Sequence, residues 1–239
     1  MTELLYLKDH YLREFEAEVQ EVIENTKIVL NKTFFYPAGG AQPSDTGTIK
    51  KLSNNEEFHV INVKKDQGKI IHEVSQDGLK KGDKIKGIIN WKRRYNLMRA
   101  HTAAHIISEV FHKKTNALIT GNQIDENKIR VDFSLENLDQ EKIKEYIQEA
   151  NEIIARDLKV TTEFTTREEA LKQPSISKLA MGLPEHIKDV RIVNIGNFDI
   201  QADGGTHVNS TKEIGKLVFI KAENKGKNNK RVYIKIENA

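Results

Sequence analysis

The sequence predicts an α+β fold: a small N-terminal antiparallel β-barrel over residues 1–90, then a two-layer α+β domain over 91–239. Three observations carry this. Up to about residue 90 the chain is a series of short runs separated by turn residues, with no helical window among them. At Trp91 the spacing of apolar residues becomes helical, and beyond it helices alternate with antiparallel-looking strands.

In order, FEAEVQEV (15–22) alternates with period two, KIVLNKTFFYP (27–37) is extended, and FHVINVKK, GKIIHEVS and KIKGIINW complete the barrel set. FYPAGGAQPSDTG (35–47) interrupts them. Two prolines and three glycines in thirteen positions exclude a strand or helix interior. It is either a plain connection or a loop whose Gly39, Gly40 and Ala41 let backbone approach a ligand while Gln42 offers an amide.

From Trp91 to about Lys114, Tyr95, Met98, Ala104, Ile107 and Phe111 recur at helical spacing, with Asn90 as the N-cap. IRVDFSL reads as a strand. LDQEKIKEYIQEANEIIARD is an amphipathic helix with Ile143, Ile147, Ala150 and Ile154 on one face. KVTTEFTT is a strand, REEALKQPSISKLA a helix broken near Pro174, DVRIVNIGNFDIQADGG a strand entering a glycine turn, and the tail a hairpin closed by GKNN. The ITGNQI stretch reads as a turn.

A hydrophobic fraction of 38% in 239 residues suffices for a sizeable core. Charges interrupt the N-terminus from its third residue, no window suits a membrane span, and cysteine is absent, so a cytoplasmic protein is expected. With 38 basic against 35 acidic residues the net charge is only +3, so bulk charge does not announce a nucleic-acid binder. Any RNA contact needs local clusters: Arg93 and Arg94 with Lys92 and Arg99, Lys113 with Lys114, and the stretch from Lys225 to Arg231.

The chemistry concentrates in HTAAH. Four residues along a helix is about 6 Å, so His101 and His105 can point at one ion. DGGTH adds His207, with Asp203 four residues before it. Three histidines and a carboxylate match Zn²⁺ in ligand type, with Asp203 a fourth ligand or a partner to water. Thr102 stands where a zinc peptidase carries its glutamate base, which removes that reading. Glu109 reads as salt-bridged, His112 is too far along the helix to join the ion, and His10, His59, His72 and His186 read as structural or surface residues.

FYPAGGAQPSDTG, NWKRRYNLMRAHTAAH, ITGNQIDENKIRVDF and DIQADGGTHVNSTKEIG, in this order, resemble the editing domain of alanyl-tRNA synthetase and its free-standing relatives, the AlaX trans-editing proteins, from about residue 15 onward. The length and N-terminal β-domain are similar to the medium-sized class. The resemblance implies a zinc-containing editing domain that hydrolyses, in trans, the ester of serine, and of glycine as a second substrate, on tRNA for alanine, without ATP. The alternatives are a non-catalytic tRNA-binding module of the same fold, or editing of another mischarged tRNA.

Carried over by position, His101, His105 and His207 match the family's zinc histidines, Asp203 sits where the common pattern has cysteine, and Ala41 replaces a frequent third glycine. A site that rejects alanine must hydrogen-bond serine's hydroxyl. Thr120, Asn122, Gln123, Gln42 and Thr206 are the candidates for that, with Gly39 and Gly40 shaping the substrate platform and Arg93, Arg94, Arg99, Lys113 and Lys114 placed against the tRNA.

Overall fold

The structure is a computed structural model that describes residues 2–137, 139–172, 176, 178 and 189–237. The fold is mixed α+β with a closed six-stranded antiparallel barrel. Two compact units are present, Met1–Asn96 and Leu97–Ala239, so the division falls inside the long helix rather than just before it.

The first unit contains β1 (Glu3–Leu4), β2 (Glu14–Ile23), β3 (Lys27–Leu30), β4 (Lys32–Thr33), β5 (Gly47–Lys51), β6 (Glu57–Asp66), β7 (Lys69–Val74) and β8 (Lys84–Ile89). The barrel closes in the order β2-β3-β7-β6-β5-β8, and β1 pairs in parallel with β4. Alternation explains which residues face inward: Phe15, Ala17 and Val19 of β2 are buried with Ile28, Leu30, Phe35, Ile49 and Phe58.

The proline- and glycine-rich connection is not loose. Its centre is a tight turn in which Gly39 and Gln42 exchange backbone hydrogen bonds of 3.1 and 2.9 Å, with Gly40 and Ala41 at φ of 55° and 68°. Both central residues are left-handed, which suits glycine and costs alanine. Tyr36 donates its hydroxyl to Gly39 O, and Asp45 accepts from the Tyr36 N–H. Asp45 in turn pairs with Arg94, whose Nε lies 2.9 Å from Oδ1 while Nη1 and Nη2 donate to the carbonyls of His10 and Phe34. Neither side chain of this pair reaches solvent.

Helix α1 (Trp91–Thr115) starts as expected, with Asn90 Oδ1 accepting from the Arg93 N–H. The second unit continues with β9 (Ile119–Ile124), β10 (Lys128–Phe133), α2 (Gln140–Ala155), β11 (Val160–Thr166), α3 (Arg167–Leu171), β12 (Asp189–Ile195), β13 (Asp199–Ala202), β14 (Lys216–Gly226) and β15 (Asn229–Glu237). Two antiparallel sheets form, ordered β14-β15-β10-β9 and β11-β12-β13. Asp139 caps α2, whose expected buried face is joined by Ile153. Phe111 of α1 stacks on Phe133 of β10 with centroids 4.2 Å apart.

Three expectations change. ITGNQI is the edge strand β9, not a turn: its register with β10 supplies the hydrogen bonds that its polar residues do not reveal. IVNIGNFDIQ is a hairpin of two strands, because Gly196 and Asn197 both adopt positive φ. The helix at 167 ends at Leu171, and the expected break at Pro174 lies outside the described residues, as does His186.

Candidate metal centre

Every residue of α1 from Leu97 to Phe111 is buried. An ordinary surface helix turns a polar stripe to water, so the polar residues of this stretch must find partners inside the protein. They do. His101 and His105 project from one face and meet Asp203 and His207 from the loop after β13, with one ligand atom from each of the four lying within 4.8 Å of the others. The three imidazole centroids are 4.6, 4.9 and 5.4 Å apart. These four groups could hold a metal ion.

Their supports decide which atoms face inward. His105 Nδ1 lies 2.9 Å from Asp199 Oδ2, which leaves Nε2 for the centre. Asp199 also accepts from Gln201 Nε2 at 2.9 and 3.0 Å and pairs with the buried Lys178, itself 2.8 Å from Glu109 Oε2. Glu109 is therefore the salt-bridged residue expected. His207 Nδ1 lies 3.2 Å from Thr102 Oγ1, and that hydroxyl donates to Met98 O at 2.9 Å and accepts from the Val208 N–H at 3.2 Å. With its only proton on Met98, Thr102 accepts the Nδ1 proton of His207, and His207 Nε2 presents a lone pair.

That lone pair is 2.9 Å from Asp203 Oδ1, while Asp203 Oδ2 is 3.4 Å from His101 Nε2. Two lone-pair atoms at such a separation require a cation or proton between them. The donor set, three imidazoles and one carboxylate with the outer nitrogens of His105 and His207 already bound to Asp199 and Thr102, fits a divalent ion. Burial and the neighbouring His101 charge hold the His207 pKa well below its ordinary value. Burial also works against ionising Asp203, but His101 and His207 overcome it and hold that carboxyl well below the usual range. For His105 the bond and charge of Asp199 outweigh burial and raise the pKa.

The loop geometry is exacting at one position. A Cβ on Gly205 would come within 2.2 Å of the His101 ring, so only glycine lets this backbone pass. Gly205 N donates to Asp203 Oδ1 at 2.6 Å, and Arg191 donates to the carbonyls of Asp203 and Gly205 at 3.0 and 2.9 Å.

The other site expectations fare unequally. Arg94 is withdrawn from the tRNA contacts, since its guanidinium is consumed by Asp45 and backbone carbonyls. Arg99 is likewise buried and caps the carbonyl of Ile214 through Nε and Nη2 at 2.9 and 2.6 Å. Arg93 donates to Ser44 O. Lys113 and Lys114 are half exposed, paired with Glu109 and Glu149. Gln42 is 2% exposed within its turn, so it offers no open amide, and Gly39 and Gly40 form the turn itself. Thr120 is exposed and donates to Asn229 Oδ1. Gln123 is exposed opposite Arg130, whereas Asn122, opposite Val131, is half-buried on the inner face of the sheet. Thr206 is fully buried beside His207. Sequence reasoning missed Thr102 as a support, and missed Asp199, Gln201, Lys178 and Arg191 altogether. His112 bonds Ala117 O, away from the centre.

Comparison with known proteins follows the same division of the chain. Residues 190–233 match the model described as threonyl and alanyl tRNA synthetase second additional domain, and residues 5–93 match that for class II (A) tRNA synthetases. The chain is 48% identical over 238 residues to the alanyl-tRNA editing protein AlaX-M of Methanosarcina barkeri, covering 98% of each. It is 47% identical to the AlaX-M protein of Saccharolobus solfataricus, covering 99% of this chain and all of that one. It is also 36% identical to the alanine–tRNA ligase of Methanococcus maripaludis, over 93% of this chain but 24% of the ligase. Among the described residues no helix is long and apolar enough to cross a membrane.

Proposed function

We propose, from the premise that this chain belongs to the AlaX-M family of alanyl-tRNA editing proteins, that it is an aminoacyl-tRNA deacylase which hydrolyses mischarged tRNA for alanine in trans. The observation that carries this is the convergence of His101, His105, His207 and Asp203 on one buried point, in a chain whose relatives align with it from end to end. Serine is the amino acid removed first, with glycine a second substrate, and Zn²⁺ is the ion.

Zinc held by these four residues would supply a Lewis acid that polarises an ester carbonyl or anchors the α-amino group. The chain does the rest. Asp199 and Thr102 fix the rings of His105 and His207, so the donor atoms need no rearrangement. Cysteine is absent, and among the described residues no serine bonds a histidine of the centre, so water attacks the ester directly. Asn122, on the inner face of β9, and Thr206, beside His207, read serine's hydroxyl; alanine would leave them unpaired. Arg93, Lys113 and Lys114 remain contacts for the tRNA.

The experiment offers the protein seryl- and alanyl-tRNA for alanine, with and without a chelator, and follows ester loss. Seryl ester is lost faster than alanyl, and chelation stops it. Absence of turnover above buffer hydrolysis would leave a tRNA-binding module without chemistry.

A further inference from the structure

The four-stranded sheet of the second unit has one buried face and one whose lysines are exposed, with Arg130, Arg231 and Tyr233 partly exposed and Asp132 buried between the arginines. Ile129, Val131 and Phe133 of β10, with Val232, Ile234 and Ile236 of β15, are buried, so the alternate residues point outward. Those are strongly basic. Lys128 and Arg130 on β10, Arg231 and Lys235 on β15, and Lys216 and Lys221 on β14 share the face with only Asp132, Glu223 and Glu237. Lys225 of β14 adds a seventh base beside Glu223, so seven bases meet three acids, a surplus of four where the entire chain carries +3.

This surplus is not arranged for stability. Lys128 and Lys235 are direct partners across the β10–β15 ladder, where like charges oppose pairing. Asp132 is shared between Arg130 and Arg231, and Glu223 between Lys221 and Lys225, so the acids cannot neutralise the bases one for one. At the middle of the face stands Tyr233, with Lys128 Nζ and Lys221 Nζ each 4.9 Å from its ring centre. They come from the strands on either side of β15.

We infer that this outer face binds RNA, with its lysines and arginines on phosphates and the Tyr233 ring under a base. An aromatic ring set among cations on an open sheet is what an unpaired base and its phosphodiester require. An acidic protein would use the charge but not the ring. The inference rests on the reading that the protein meets tRNA, and it places a contact outside the metal centre.

The test uses the full chain and an uncharged transcript of tRNA for alanine, whose binding is followed by fluorescence anisotropy across a salt series. Such a transcript carries no ester, so the outcome is independent of deacylation. Lys128→Glu with Lys221→Glu weakens binding roughly tenfold or more and makes the logarithmic salt dependence shallower by about 1.5. Lys80→Glu with Lys81→Glu, an equal charge change on an exposed turn of the other unit, leaves both nearly unchanged. Tyr233→Leu weakens binding fivefold or more with the salt slope retained. Should a glutamate pair misfold, Lys128→Gln with Lys221→Gln gives a smaller loss of the same sign. Equal losses from the two glutamate pairs, an unchanged affinity in the first, or indifference to Tyr233→Leu overturns the inference, as does binding of anionic lipid vesicles without binding of the transcript.

Discussion

His72 in the barrel and His207 in the second unit begin from the same arrangement. Both are 0% exposed, each bonds a threonine hydroxyl through one ring nitrogen, and burial lowers the pKa of each. Their other nitrogens differ. His72 Nδ1 donates to Ile28 O, which closes its hydrogen bonding, while His207 Nε2 faces Asp203 and two further imidazoles. A buried histidine whose two nitrogens end on a hydroxyl and a carbonyl is structural. One whose second nitrogen meets a carboxylate among two further imidazoles belongs to a group that could hold a cation.

Arg94 and Asp45 extend the structural side of this contrast, and breaking them gives the largest effect. Arg94→Met strands Asp45 and costs about 3–5 kcal/mol, seen as a lower denaturant midpoint. Metal content of the folded fraction, measured by atomic absorption, stays at the wild-type level if the two clusters are independent.

Next comes acid. The His72 pKa falls from 6.5 to about 4 in the fold because burial disfavours its charge. The unfolded chain then takes up a proton first, so stability is intact above pH 6.5 and drains away as pH falls towards 4. The loss from this group approaches roughly 3 kcal/mol, and His72→Gln should flatten the urea midpoint over that window. An unchanged slope would mean that His72 is not the neutral anchor described.

Thr102 tests the other histidine. Thr102→Val removes the acceptor that sets the His207 tautomer and should weaken metal binding about 10–100-fold in chelator competition, with Thr102→Ser restoring most of it. Loss of fold in the valine variant with no rescue by serine would make Thr102 a packing residue. The smallest effect belongs to Ala41→Gly, which relieves a left-handed alanine and should stabilise the first unit by up to about 1 kcal/mol, read by thermal unfolding.

Much of this was legible in the sequence, for reasons that can be named. The barrel strands announce themselves by alternation, and HTAAH with DGGTH marks the four groups that converge because helical spacing and a glycine turn are local signals. What failed was non-local. Arg94 reads as surface charge until Asp45, 49 residues away, is found against it. Asp199 supports a histidine 94 residues distant, and the role of Thr102 depends on a histidine 105 residues on. The hairpin at Gly196–Asn197 did carry a local signal, two turn formers between apolar runs, which a long apolar stretch concealed.

The distance between the halves of the metal centre has a mechanical consequence. His101 and His105 sit on α1 and Asp203 and His207 on a loop roughly a hundred residues further along the chain. An ion gripped by both is a cross-link, and closing a loop of that length removes about 4–5 kcal/mol of disorder from the unfolded chain. In a protein without a single cysteine, the same four side chains can thus do the work of a disulfide. With such an ion bound, a chelator should lower the unfolding midpoint of the second unit.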